Sequence, residues 1–160
     1  MYNFDFERSL KNAEKYFLNA EHLLNVTFKL VNEKRILLNV VENLYKSLLY
    51  SVDSILKLEY ELRRVRLYQD SKKNFQLFKD IACSYGITNE QLKTIDEIFL
   101  IIKKYKESSM EFVRGEKVVF MPNGSQPVYI DLIKVKNYIE IGKSILERIK
   151  EKARKYGANV

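Results

Sequence analysis

A chain of 160 residues with 46% hydrophobic content can cover one continuous core, so a single domain spanning 1–160 is expected. The lone Cys83 excludes an internal disulfide. The most apolar runs, around Ile36–Val41 and Ile98–Ile102, fall far short of the ~20 residues of a membrane helix. Net charge is +7, from 28 Lys and Arg against 21 Asp and Glu, which favours an anionic partner without naming one. Met1–Arg8 is acidic and aromatic, unlike a secretory leader, and the expected setting is the reducing cytoplasm with no membrane association.

Taken in chain order, Leu10, Ala13, Phe17, Ala20, Leu24, Phe28 and Val31 recur in steps of three and four. They predict a long helix over Phe6–Val31, with Ser9, Lys11, Asn12, Lys15 and Asn19 off its apolar stripe. A second helix comes after a turn near Asn32–Lys34. Leu37, Val41, Leu44, Leu48, Ile55, Leu58, Leu62 and Val65 form one stripe, and Leu38, Tyr45, Leu49, Val52 and Leu56 a neighbouring one. So wide an apolar face marks the most buried helix. No Gly or Pro interrupts Asn32–Tyr68, so about 30 residues of helix, some 45 Å, are expected, antiparallel to the first.

The third helix carries Phe75, Phe78, Ile81, Ala82 and Tyr85 and ends at Gly86, the residue that best adopts a left-handed cap. Thr88 and Gln91 have capping-box spacing and start a fourth helix over Asn89–Lys106. From Phe112 to Ile130 the helical period disappears. Clusters of β-branched and aromatic residues between turn formers predict a hairpin turning at Arg114–Glu116, with a third short strand near Val128–Ile130. Helical period returns after Asp131, a candidate N-cap, and runs through Ala153. The fold class is therefore mainly α: an up-and-down bundle of about five helices with a short β-hairpin inserted before the last.

His22 is the only histidine, which removes two-histidine metal sites, and no metal or cofactor is expected. Cys83 is expected to be a buried hydrophobe. Asp53 with Lys57 and Glu42 with Lys46 are helical ion pairs at i and i+4. Glu42, Tyr45, Tyr50 and Asp53, with Ser47, Ser51 and Ser54, are candidates for a polar pocket inside the bundle. Arg63, Arg64 and Arg66 interleave with Tyr60 and Tyr68, a mixture able to contact phosphates and stack on bases. Lys103, Lys104, Arg114, Lys117 and Arg148 complete the candidate nucleic-acid set. Each of these also fits a solvated helix end or turn. The loop Met121–Pro127 lacks any phosphate-cradling glycine pattern.

Ala13–Val26 together with Leu37–Leu58, with the stretch Tyr16–Leu24 and a second helix dotted with polar residues, resembles the opening of HEPN-type helical bundles. It is also similar to the related substrate-binding subunits of small nucleotidyltransferases. That resemblance implies a bundle that dimerises and works in RNA cleavage or beside a nucleotidyltransferase. Active ribonucleases of this kind carry an Arg and, four to six residues later, a His. Here Arg8 is the nearest Arg upstream of His22 and much too far away, so no catalytic residue is carried over. The chain reads as a non-catalytic bundle acting by binding. Self-association through an apolar helix face is the leading mode, a nucleic-acid or protein partner the alternative, and a degenerate ribonuclease the third reading.

Overall fold

The computed structural model describes residues 5–160, so the reading of Met1–Arg8 lies partly outside the described residues. α1 (Asp5–His22) continues through a π-helical turn (Leu23–Thr27) into the short α2 (Phe28–Val31), one rod over the span expected for the first helix. Leu10, Ala13, Phe17, Ala20, Leu24 and Phe28 are buried as the stripe requires. In the π turn the Phe28 N–H reaches back to the Leu23 carbonyl. The extra residue rotates α2 about the rod axis, so Val31, expected inside, is exposed together with Leu30. Asn32 then takes a left-handed conformation (φ 52) that Asn tolerates, and the chain reverses.

α3 (Ile36–Glu61) is the central helix and packs against α1 along its length. The two run antiparallel. Ser47 donates to the Ala13 carbonyl at 2.7 Å, Ser54 to the Phe6 carbonyl at 3.1 Å, and Ser9 to Asp53 at 2.5 Å. Ser9, expected off the stripe, is thus buried at this seam. α3 is also shorter than its composition suggests, at 26 residues. Arg63 occupies the left-handed region (φ 58), with its N–H on the Tyr60 carbonyl and the Arg64 N–H on the Glu59 carbonyl, both at 2.9 Å. These two bonds make a Schellman cap. Arg is an unusual residue for its left-handed position, so no local signal announces the stop.

α4 (Ser71–Ile81) is capped by Asp70, which accepts from the Lys72 N–H, and tightens into a 3-10 turn (Ala82–Tyr85) closed by Gly86 at φ 73. The tightening corrects the reading of Cys83. At three residues per turn Ala82 and Tyr85 eclipse one another and take the buried side, leaving Cys83 exposed. α5 (Asn89–Lys106) begins at the Thr88–Gln91 capping box, with both reciprocal bonds formed.

The sheet has order β1-β2-β3, all antiparallel: β1 (Ser108–Arg114), β2 (Lys117–Pro122) and β3 (Val128–Ile130). Gly115 at φ 60 leads the two-residue turn between Arg114 and Lys117, which fits the type II′ preference for Gly at its first position. α6 (Leu132–Lys155) starts after Asp131, whose side chain accepts from the Lys134 N–H at 2.9 Å. It runs antiparallel to α5, with Gln91 bonded to Ser144 and Glu97 paired with Lys134. All six helices and the inner side of the sheet contribute to one contiguous apolar core.

The cap at Arg63 is testable. A left-handed non-Gly residue costs about 1–2 kcal/mol, and glycine relieves it at some entropic cost. Arg63→Gly is expected to raise unfolding stability by about 0.5–1 kcal/mol, read as a higher urea midpoint at unchanged slope.

Candidate functional site

The candidate basic residues do not converge on one surface. Arg64 and Arg148 lie at the C-terminal end of α3: the Arg64 guanidinium reaches Tyr156 beyond the end of α6, and Arg148 folds over Gly86. Exposed Arg63 and Arg66 share that end, around a shallow cleft of about 460 Å³ with Tyr60, Glu61 and Val65. Lys103 and Lys104 sit in the last turn of α5, whose Lys106 lies over the Tyr45 ring in the N-terminal half of α3. Arg114 and Lys117 flank the hairpin turn, and the intervening Glu116 pairs with Lys34 of the α2–α3 reversal at 2.8 Å. The set is therefore divided between the C-terminal end of α3 and its N-terminal half, and does not share one surface.

At the first end the arginines are partly committed to structure. Glu59, almost wholly buried, accepts from the Tyr85 hydroxyl at 2.8 Å and from Arg64 Nη1 at 3.4 Å, while Arg64 Nη2 donates to Tyr156 at 2.6 Å. Lys152 covers the Tyr85 ring at 4.6 Å. This network ties α3, the 3-10 turn and α6 together, and Arg64 is occupied by it. A buried carboxylate held by few donors is costly to disturb.

The four residues considered for an interior pocket face the surface of α3 instead. Tyr45 packs edge-on against Phe99, Tyr50 stacks on Tyr16 at 5.7 Å, and Asp53 accepts from Ser9 and pairs with Lys57 at 2.8 Å. Glu42 is half-buried, and Lys46, rather than pairing with it, lies over the Tyr16 ring. Ser47, Ser51 and Ser54 do face inward, but backbone carbonyls take up their hydroxyl protons. What remains is an open groove of about 440 Å³ between α3, α4 and α5, lined by Leu49, Val52, Leu56, Phe75 and Phe99, with Asp53 on its rim. His22 is exposed at the end of α1, and Cys83 is exposed in the 3-10 turn that follows α4. Among the described residues no cluster of three or more His, Cys, Asp or Glu could hold a metal ion. No helix among them is long and apolar enough to cross a membrane.

The sheet presents a different surface. Directly opposed residues of neighbouring strands share a face. Phe112 opposes Val119, which opposes Tyr129; Met110 opposes Met121, and Arg114 opposes Lys117. The other face holds Val118, Phe120 and Ile130, all buried on the bundle, with Phe120 set edge-on to Tyr105 at 5.4 Å. On the outer face Val119 is covered by its neighbours, whereas Phe112, Tyr129 and Met110 stay 36%, 45% and 59% exposed. The Lys117 ammonium stands 5.7 Å from the Tyr129 ring centre. Two open aromatic rings with two exposed cations at one edge thus share the outer face of the sheet. Arg114 and Lys117 are legible in the sequence as candidates. Phe112 and Tyr129 are not, although counting the register outward from the hairpin turn aligns Phe112 with Val119.

The Glu59 network has a measurable signature. Burial, and then the hydrogen bond to Glu59, push the Tyr85 phenol well above its ordinary value; burial and the nearby Glu97 do the same for Tyr138. A raised folded-state pKa stabilises the fold fully below the unfolded value near 10, and that stabilisation is lost as pH rises beyond it. Tyr85→Phe is expected to cost about 2 kcal/mol at neutral pH, because a buried charged acceptor loses its donor. It should also flatten the decline in stability above about pH 10, measured by urea titration across the alkaline range.

Comparison with family models, with curated proteins and with solved structures finds no match to this chain.

Proposed function

We propose that this chain binds single-stranded nucleic acid, RNA foremost, on the outer face of its three-stranded sheet. The observation that carries the reading is the pair of exposed rings, Phe112 and Tyr129, on either side of Val119 with Arg114 and Lys117 beside them. Unpaired bases stack on such rings whatever their sequence, while cations hold the phosphates. β1 and β3 are two strand spacings apart, about 10 Å, so each ring offers a separate platform. The net charge of +7 favours encounter with a polyanion. The resemblance to HEPN-type bundles points toward RNA as well, without supplying a cleavage residue.

Self-association through an apolar helix face has less to draw on. The stripes of α1, α3 and α6 are spent in the core; the exposed apolar residues include Leu18, Val26, Leu30 and Val31 along the α1–α2 rod, with Leu100 on α5 and Ile133 on α6.

Fluorescence anisotropy with labelled oligouridine, oligodeoxythymidine and duplex RNA at low salt tests the proposal. Single strands should bind and duplex should not. Stacking is worth about 1–3 kcal/mol per base, so Phe112→Ala or Tyr129→Ala is expected to weaken binding roughly 5- to 100-fold. Arg114→Ala and Lys117→Ala should each flatten the logarithmic salt slope by about 0.7. Absence of binding at micromolar protein would overturn the reading. Binding lost only in Arg63→Ala or Arg66→Ala would place the site at the opposite end of α3.

A further inference from the structure

The two edges of the sheet are unequal. β3 has three residues, with Pro127 just before it and α6 just after, the short, proline-flanked form in which edges are normally protected. β1 has seven residues, and among the described residues β2 is its only sizeable packing partner. Its centre, Met110–Val113, contains no Pro, Gly or Lys, and a register shift interrupts pairing only at its far end, between Ser108 and Met110. Met110 and Phe112 are exposed on the outer side; on the inner side Val113 is exposed, while Glu111 is half-buried beside Tyr105. A free edge with apolar residues on both faces is a template for another strand.

The backbone specifies what that strand can be. In a two-residue hairpin the flanking pair, here Arg114 and Lys117, exchanges hydrogen bonds, and the pattern alternates along the strand. Phe112 therefore points its N–H and C=O toward β2, while Glu111 and Val113 point theirs outward. Two copies of β1 laid antiparallel about an axis normal to the sheet keep their outer faces together only when the paired residue numbers sum to an even value. Centring the axis on Glu111 would set two carboxylates directly opposite each other, which is unfavourable. Centring it on Phe112 sets Glu111 opposite Val113 of the second copy in a doubly hydrogen-bonded pair, and Met110 beside the stem of Arg114. No like charges then oppose, and closed twofold symmetry consumes both free edges.

We propose that β1 pairs with β1 of a second copy of this chain, antiparallel across a twofold axis at Phe112, to give one six-stranded sheet. This rests on the free edge and not on nucleic-acid binding, and it is measured without nucleic acid. Sedimentation velocity from micromolar to millimolar protein should show a species of twice the 19.0 kDa chain. Val113→Pro removes an N–H from the free edge only and should return the protein to a monomer with unchanged helical circular dichroism. In a Cys83→Ser background, Phe112→Cys should oxidise to a covalent dimer, because the central pair brings the Cα atoms to about 4.5 Å, within disulfide reach. Tyr129→Cys, on the other edge, should not. A strict monomer at high concentration, a dimer that persists in Val113→Pro, or Phe112→Cys cross-linking no faster than Tyr129→Cys would each overturn the proposal.

Discussion

The close approach of α1 to α3 decides where the other elements go. Small residues make it: Ser9 and Ala13 on one helix lie at the level of Ser47, Ser51 and Ser54 on the other, all buried. A buried hydroxyl without a partner would cost about 1–3 kcal/mol, but each of these serines donates to an acceptor on its own or the facing helix. The helices can therefore close without a polar penalty. α6 joins them at Gly142, where a Cβ would run into Leu44 of α3 and meet Phe17 of α1. Three helices thus meet at a point where any side chain would displace the Leu44 methyl.

With α1 and α6 on one side of α3, α4 and α5 cover the other, and the bundle is closed before the sheet is reached. Phe120, Val118 and Ile130 fill the remaining gap over α5. The sheet spends one face on the core and has nothing beneath which to hide the second. Helices can bury a stripe and solvate the rest; a three-stranded sheet attached to a finished bundle leaves a whole face outside. The composition of that face then becomes informative, since polar residues would suffice there. Methionines and aromatic rings instead occupy four of its seven outer positions, identified from the strand register.

The parts of this fold that are legible in the sequence are those governed by neighbours in the chain. Thr88 with Gln91, Asp131 and Gly86 each act within a few residues, and each forms the cap its residue type predicts. The end of α3 is not legible, because the residue in the left-handed position is Arg63 and what holds it there, the tie from Arg64 to Glu59 and Tyr156, spans the fold. Cys83 escapes sequence reasoning for a related reason: whether a helix ends as α or 3-10 depends on what Ala82 and Tyr85 pack against. The basic residues are individually visible, but their dispersal along α3 is a tertiary fact. The ring pair Phe112 and Tyr129 lies in between, recoverable from strand register once the turn is placed.

The charge distribution bears on how the two proposed uses of the sheet fit together. Glu116, within the turn, pairs with Lys34 of the α2–α3 reversal. In a β1-paired dimer the two outer faces would be coplanar, with Phe112 central and Tyr129 at either margin. The four cations would lie in two pairs about the axis. A single strand crossing such a surface would meet ring, cation and ring in succession, and the second copy's contacts would form at the high effective concentration set by the first. Positive charge brought together by dimerisation is self-repelling, and a bound polyanion relieves that repulsion. Strand pairing and nucleic-acid binding would then favour each other through the same four side chains, an electrostatic coupling that weakens as salt screens it.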